Sequence, residues 1–182
     1  MDKLIFLDRD GTIIEDSGHI YKVEKLKFIP RSLVGLKKLQ DRGYKFLIVT
    51  NQAGIAKGLY LEKDYFIFKK EMHKRLEEQG ITITAEYFCP HNPDEHCNCR
   101  KPNPGMLEKA AKDFNLDLEK CWMIGDKSSD ILAGKNAGCK TIHVLTGECK
   151  TPVSYADFVA RDLIEAGDYI LNVSTIQINK NT

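Results

Sequence analysis

Short apolar runs alternate with helical patterns along this chain, and every unusual polar cluster comes directly after one of the runs. Runs of four to six apolar residues suit strands buried on both faces, as in a parallel sheet covered by helices. In such sheets ligands bind outside the carboxyl ends of the strands. The pattern therefore predicts both a fold class and the edge on which a site forms.

The predicted strands cover residues 4–7, 44–49, 82–88, 121–124 and 141–145, with a last one at 169–171. Predicted helices begin at Pro30, which suits a first helical position, and run to Gly43, then over 61–79, 105–115, 129–137 and 154–166. Residues 13–29 read as a loop with some local order. Residues 89–104 hold four prolines, three cysteines and two histidines and are predicted to lack regular structure. One domain over 1–182 is expected, since 182 residues suffice for one hydrophobic core.

The net charge of +1 excludes a global field for nucleic acid or an acidic membrane. No apolar run approaches the roughly 20 residues of a membrane span, and the N-terminal apolar stretch is short for a secretory signal. A cytoplasmic location is expected. The six cysteines then favour metal binding over disulfides.

Four polar clusters carry chemistry. In Asp8-Arg9-Asp10-Gly11-Thr12 two carboxylates repel each other unless a cation lies between them, and Mg²⁺ suits such oxygens. Thr50-Asn51-Gln52 offers a hydroxyl and amides to phosphate oxygens. Arg100-Lys101-Pro102 offers a bidentate fork and a point charge. In Gly125-Asp126-Lys127-Ser128-Ser129-Asp130, Asp126 suits a metal site and Asp130 a brace behind it. Each cluster alone also reads blandly: an Asp-Gly turn, a simple turn, a solvated loop, and a helix capped by Ser128 or Ser129.

Cys89-x-His91, then Cys97-x-Cys99, matches a closed tetrahedral Cys₃His zinc site. His96 competes as a ligand. With four ligands filled, the zinc is read as structural, fixing the loop of about 89–104 that leads into Arg100-Lys101.

In this order the four clusters resemble the haloacid dehalogenase-like phosphatase superfamily over nearly the whole chain. The resemblance implies a three-layer, Rossmann-like α/β fold. It makes Asp8 the nucleophile that forms an aspartyl phosphate and Asp10 the general acid/base. Thr50 and Lys101 would hold the phosphoryl group, with Arg100 beside them, and Asp8, the Asp10 backbone carbonyl and Asp126 would bind Mg²⁺. The gaps between clusters leave no room for a separate cap domain. Together with Cys89-Pro90-His91 and Cys97-x-Cys99-Arg100-Lys101-Pro102, the motifs resemble the heptose-bisphosphate phosphatases. The implied reaction is hydrolysis of the C7 phosphate of D-glycero-D-manno-heptose 1,7-bisphosphate. The related histidinol-phosphate phosphatases and other small phosphosugar phosphatases are the alternatives. The implied substrate contacts are Asp8, Arg9, Asp10, Asp16, Ser17, Gly18, His19, Thr50, Asn51, Gln52, Ala53, Arg100, Lys101 and Lys127. His19 stands where an aromatic is expected.

Two other classes are weighed. A receiver-like signalling domain is disfavoured by Asp10, because an acid/base beside the nucleophile promotes turnover. A zinc-stabilised binding module is disfavoured by the intact Asp8, Asp10, Lys101 and Asp126. A monomer acting on a small phosphorylated sugar is expected. His73 and the charged face of helix 61–79 are read as solvated, His143 as a satisfied histidine in a strand, and Cys121, Cys139 and Cys149 as small packing residues.

Overall fold

The computed structural model describes residues 3–179; the outer ends of the expected 1–182 domain lie outside the described residues. Six parallel strands stand in the order β3-β2-β1-β4-β5-β6. They are β1 Leu4–Leu7, β2 Lys45–Asn51, β3 Ile83–Cys89, β4 Trp122–Gly125, β5 Lys140–Val144 and β6 Phe158–Ala160. The chain order reverses between β1 and β4, so a crevice opens beyond their carboxyl ends.

Alternate residues of each strand face opposite layers. Ile5, Leu7, Phe46, Ile48 and Ile124 pack against α1 Pro30–Gln40, α2 Glu62–Glu78 and α5 Leu163–Asn179. Leu4, Phe6, Leu47, Val49 and Met123 pack against α3 Gly105–Phe114 and α4 Ser128–Asn136. This is the expected three-layer α/β arrangement. No helix among the described residues is long and apolar enough to cross a membrane.

Local chemistry sets several ends. Pro30 opens α1, and the Ser32 hydroxyl donates to the Ile13 carbonyl at 2.8 Å, tying α1 to the segment after β1. Gly80, with φ +70°, closes α2 as expected. β2 runs two residues further than predicted. Thr50 and Asn51 pair with Phe88 and Cys89, so both are held by the sheet rather than by a turn. Likewise Cys89 ends β3, and a 3-10 turn at Pro93–Glu95 lies within the loop predicted to lack regular structure.

The C-terminal expectation was wrong. The predicted helix 154–166 contains β6, and the predicted strand 169–171 lies inside α5. Leu163, Ala166 and Ile170 recur with helical spacing and are buried. Asp162 starts the helix: its Oδ1 accepts from the backbone N–H of Ile164 and Glu165. The run Tyr-Ile-Leu resembles a strand only when read without that context.

α1 and α5 cross closely at Gly35, where an added Cβ would collide with the backbone carbonyl of Leu163. At Gly167 on α5 an added Cβ would meet Leu39 at an ordinary 3.4 Å. Gly35→Ala is therefore expected to destabilise by about 1–3 kcal/mol, overriding a helix-propensity gain of about 1 kcal/mol. Gly167→Ala should be neutral or stabilising. Denaturant midpoints compare the two, and a raised midpoint for Gly35→Ala would show that the helices part freely.

Candidate active site

Asp8 follows β1 directly, and its backbone N–H donates to the Ile124 carbonyl of β4 at 2.9 Å. The side chain is almost fully buried. Lys101 Nζ reaches it from the loop after β3, donating to Asp8 Oδ1 at 2.6 Å and to the Val49 carbonyl at 2.7 Å. The same Nζ lies 2.7 Å from Asp130 Oδ1. All three ammonium protons thus have acceptors. Asp126 follows β4, and its Oδ2 accepts from the Glu148 backbone N–H at 3.0 Å. Among the described residues, Asp126 Oδ1 is buried with no partner.

The carboxylates of Asp8, Asp126 and Asp130 offer oxygens within 4.8 Å of one another. Burial pushes the Asp8 carboxyl well above its usual range; Lys101 opposes this, while Asp130, Asp126 and Asp10 add to it. Burial, then Asp130, pushes Asp126 up to about 6. Burial works against the Lys101 ammonium, but Asp130 and Asp8 more than offset it and hold it charged. One buried ammonium against three carboxylates leaves an excess of negative charge, and a divalent cation at the orphaned Asp126 Oδ1 fits it. Two glycines clear this space. A Cβ at Gly11, whose φ is +86°, would lie 2.5 Å from Asp126 Oδ2, and one at Gly147 would also overlap that carboxylate.

Asp10 lines the adjoining pocket. Its carboxylate accepts from Arg9 Nε and Nη2, both at 3.0 Å, and from Gln52 Nε2 at 3.0 Å. The Gln52 amide also donates to Thr50 Oγ1 at 2.8 Å, and its oxygen accepts from Tyr60 Oη at 2.6 Å. Arg9 corrects an expectation. Its side chain does not line the pocket but is completely buried beneath it, because its guanidinium is spent on Asp10 and the Ile20 carbonyl.

The pocket encloses about 540 Å³. Its walls bring together Asp10, Asp16, Gly18, His19, Asn51, Gln52, Ala53, Arg100, Lys101 and Lys127, all singled out from sequence. Ser17 is exposed and, like the buried Asp8 and Thr50, is not on the wall. Lys57, Ser129 and Glu148 also line it and were missed. Ser129 lay in a cluster read for capping. Lys57 and Glu148 stand in short exposed loops with no motif to mark them. Lys57 Nζ lies 3.4 Å from His19 Nε2, and Lys127 Nζ pairs with Asp16 at 3.0 Å and Glu148 at 3.3 Å.

Two further roles differ from the sequence reading. Asn51 clamps Lys101: its Nδ2 donates to the Lys101 carbonyl at 3.0 Å, and its Oδ1 accepts from the Lys101 N–H at 3.1 Å. Asp130, rather than Ser128 or Ser129, caps α4, accepting from the Lys127 N–H at 2.9 Å. His143 is the satisfied strand histidine expected, with Nε2 2.9 Å from the Asp126 carbonyl. His73 is not merely solvated, since its Nε2 lies 2.6 Å from Glu86 Oε2.

Cys89, His91, Cys97 and Cys99 converge beside the pocket. Cys89 Sγ lies 3.5 Å from His91 Nδ1 and 3.5 Å from Cys97 Sγ; Cys99 Sγ lies 3.2 Å from His91 Nδ1 and 3.4 Å from Cys97 Sγ. A tetrahedral ion with metal–sulfur bonds of about 2.3 Å requires edges only slightly longer. His96 is not part of the cluster; it adopts φ +49° after the 3-10 turn. Arg100 Nη1 donates to the His91 carbonyl at 3.3 Å.

A HAD-hydrolase-like family model matches residues 98–166. D-glycero-alpha-D-manno-heptose-1,7-bisphosphate 7-phosphatase of Photorhabdus laumondii is 43% identical over 75% of this chain and 78% of its own length. D-glycero-beta-D-manno-heptose-1,7-bisphosphate 7-phosphatase of Haemophilus ducreyi is 39% identical over 92% of this chain and 98% of its own. The structure of D,D-heptose 1,7-bisphosphate phosphatase from B. bronchiseptica, complexed with magnesium and phosphate, superposes with a TM-score of 0.86. It is 32% identical, with 93% of this chain and 98% of that one covered. With its parallel sheet, buried lysine–carboxylate floor and Cys/His loop, this chain belongs to the heptose-1,7-bisphosphate 7-phosphatase family of haloacid dehalogenase-like hydrolases.

Proposed function

We propose that the protein is a phosphatase that removes the C7 phosphate of D-glycero-D-manno-heptose 1,7-bisphosphate through an aspartyl phosphate on Asp8. The observation that carries this reading is the pairing of Asp8 with the buried Lys101 ammonium, two residues from a carboxylate, Asp10, that faces the pocket. Asp8 attacks phosphorus, and the bond from phosphorus to the sugar oxygen breaks as Asp10 delivers a proton to that oxygen. A water then attacks the phosphorus and gives a proton to Asp10. The bond to Asp8 breaks, releasing phosphate and free Asp8.

Lys101 offsets charge on the transferring group, and Thr50 and Asn51 hold the floor and the lysine in place. Asp8, Asp126 and the Asp10 backbone carbonyl would hold Mg²⁺, which when bound supplies charge neutralisation between carboxylate and phosphate. Arg100, Lys127, Asp16, Gly18, His19, Gln52 and Ala53 are proposed to contact the sugar and its second phosphate. The Cys₃His cluster would hold a structural Zn²⁺, supported by its donor set and edge lengths. Its thiolates suit a reducing compartment, the cytoplasm.

Initial rates on both anomers of heptose 1,7-bisphosphate, with histidinol phosphate as comparison, test the substrate. A heptose anomer is expected to give the highest kcat/KM, and faster hydrolysis of histidinol phosphate would displace the reading. Asp8→Asn is expected to lower phosphate release at least about 10⁴-fold with the fold intact by circular dichroism, since Lys101 keeps Asp130 and the Val49 carbonyl. Turnover at wild-type rate would remove the nucleophile. Elemental analysis should find about one zinc per chain. Cys97→Ser should lose the metal and lower the unfolding temperature, whereas a metal-free wild-type protein of equal stability would rule out the structural role.

A further inference from the structure

Asp126 lies one residue beyond β4, and its surroundings hold it at three points. The peptide that follows it is gripped from both sides. Its carbonyl lies 2.9 Å from His143 Nε2, and its N–H, that of Lys127, donates to Asp130 Oδ2 at 2.9 Å. The side chain is held by the Glu148 backbone N–H, which donates to Oδ2 at 3.0 Å. Oδ1 is the oxygen left without a protein partner among the described residues.

His143 is completely buried on β5, opposite Gly125 in the sheet register. Its two nitrogens are told apart by their neighbours. A carbonyl only accepts, so Nε2 donates to Asp126. A backbone N–H only donates, and that of Val153 lies 3.4 Å from Nδ1, so Nδ1 accepts. The imidazole thus spans from the Asp126 backbone to the far end of the loop 145–153, which also supplies the Glu148 N–H. The near end of that loop is fastened by Thr146, whose hydroxyl donates to the Gly11 carbonyl at 2.6 Å. Main chain and side chain of Asp126 are therefore tied to one loop, and His143 closes the ring.

Groups behind a metal ligand fix its orientation and so tune the affinity for the ion. We propose that His143 is a positioning residue for the cation: its Nε2–H holds the Asp126 peptide, so that with Oδ2 spent on Glu148 the carboxylate presents Oδ1 to the ion. The proposal rests on the phosphatase reading, which makes Asp126 a Mg²⁺ ligand, and extends it to a histidine outside the pocket. Without the Nε2 donor the carbonyl is buried and unpaired. The peptide then turns toward another donor and takes the carboxylate with it.

Two amides separate the two bonds of the imidazole. Gln places an amide N–H where the histidine has Nε2, so His143→Gln keeps the donor to Asp126 and gives up Val153. Asn is shorter and places its oxygen near Nδ1, so His143→Asn keeps Val153 and gives up Asp126. The probe is Mn²⁺, which suits the same oxygen ligands as Mg²⁺. It is titrated into zinc-loaded protein without substrate, and the free ion is followed by electron paramagnetic resonance. Both variants are expected to unfold at a lower temperature than the wild type, since each loses one buried bond. His143→Asn is expected to bind Mn²⁺ about 10–100-fold more weakly, and His143→Gln to stay within about threefold of wild type. The Mg²⁺ concentration for half-maximal hydrolysis of heptose 1,7-bisphosphate should rise in the same ratio, with kcat at saturating Mg²⁺ within about threefold. If His143→Asn does not fold, His143→Leu, which fills the space and has no donor, takes its place with the same expectation. Unchanged Mn²⁺ affinity on loss of the donor, or equal weakening by Gln and Asn, would overturn the proposal and leave the phosphatase reading intact. A wild type that binds Mn²⁺ but does not hydrolyse the sugar phosphate would count against the phosphatase reading alone, the affinities still deciding the role of His143. One that binds no Mn²⁺ would end both.

Discussion

The buried Lys101 ammonium, shared between Asp8 and Asp130, is the contact on which the rest of the site depends. Three carboxylates within 4.8 Å of one another, at the buried end of a parallel sheet, repel one another and resist desolvation. Lys101 offsets part of that charge. The remaining excess is what a divalent ion answers, and the same excess keeps the site receptive to it. Burial raises the Asp8 and Asp126 carboxyls, and the charge of Lys101 works against that rise.

The position of Lys101 in turn depends on structure that takes no part in chemistry. Its backbone is clamped by the Asn51 side chain at the end of β2. The preceding Cys/His cluster begins on Cys89, the last residue of β3, so the loop is anchored to the sheet where it starts and where it ends. A loop rich in prolines and lacking long regular elements has little packing to order it. Four ligands converging on one ion would supply that order. Beneath Asp10 the buried Arg9 guanidinium grips its carboxylate, with the Tyr65 and Phe68 rings of α2 packed over the guanidinium.

Much of this was legible in the sequence because the chemistry is local to short stretches. Asp8 and Asp10 flank a turn after an apolar run, and Cys89, His91, Cys97 and Cys99 fall within eleven positions. The strand order places those stretches at one edge, so alternation of apolar runs and polar ends was enough to find them. What escaped was of a different kind. Glu86 alternates within β3 like any polar residue, and nothing marks it as buried against α2. His73 looked solvated because its neighbours along α2 are charged. Arg9 looked like a substrate ligand because it lies between two site residues, whereas its side chain turns into the core. At the C-terminus, Tyr-Ile-Leu reads as a strand until Asp162 and Leu163 show where a helix begins.

The sequence by itself determined the layered α/β class, the edge where the polar clusters gather, and the identities of the carboxylate, basic and thiol groups found there. These follow from residue type and from periodicities of two and 3.6, which act over a few neighbours. Only the tertiary structure decided which charges are buried together, which side chain of Asp8-Arg9-Asp10 faces the core, and that Asn51 holds a backbone. Those outcomes depend on desolvation and on partners tens of residues away, as between Lys101 and Asp8 or Tyr65 and Glu86, and a local pattern does not contain them.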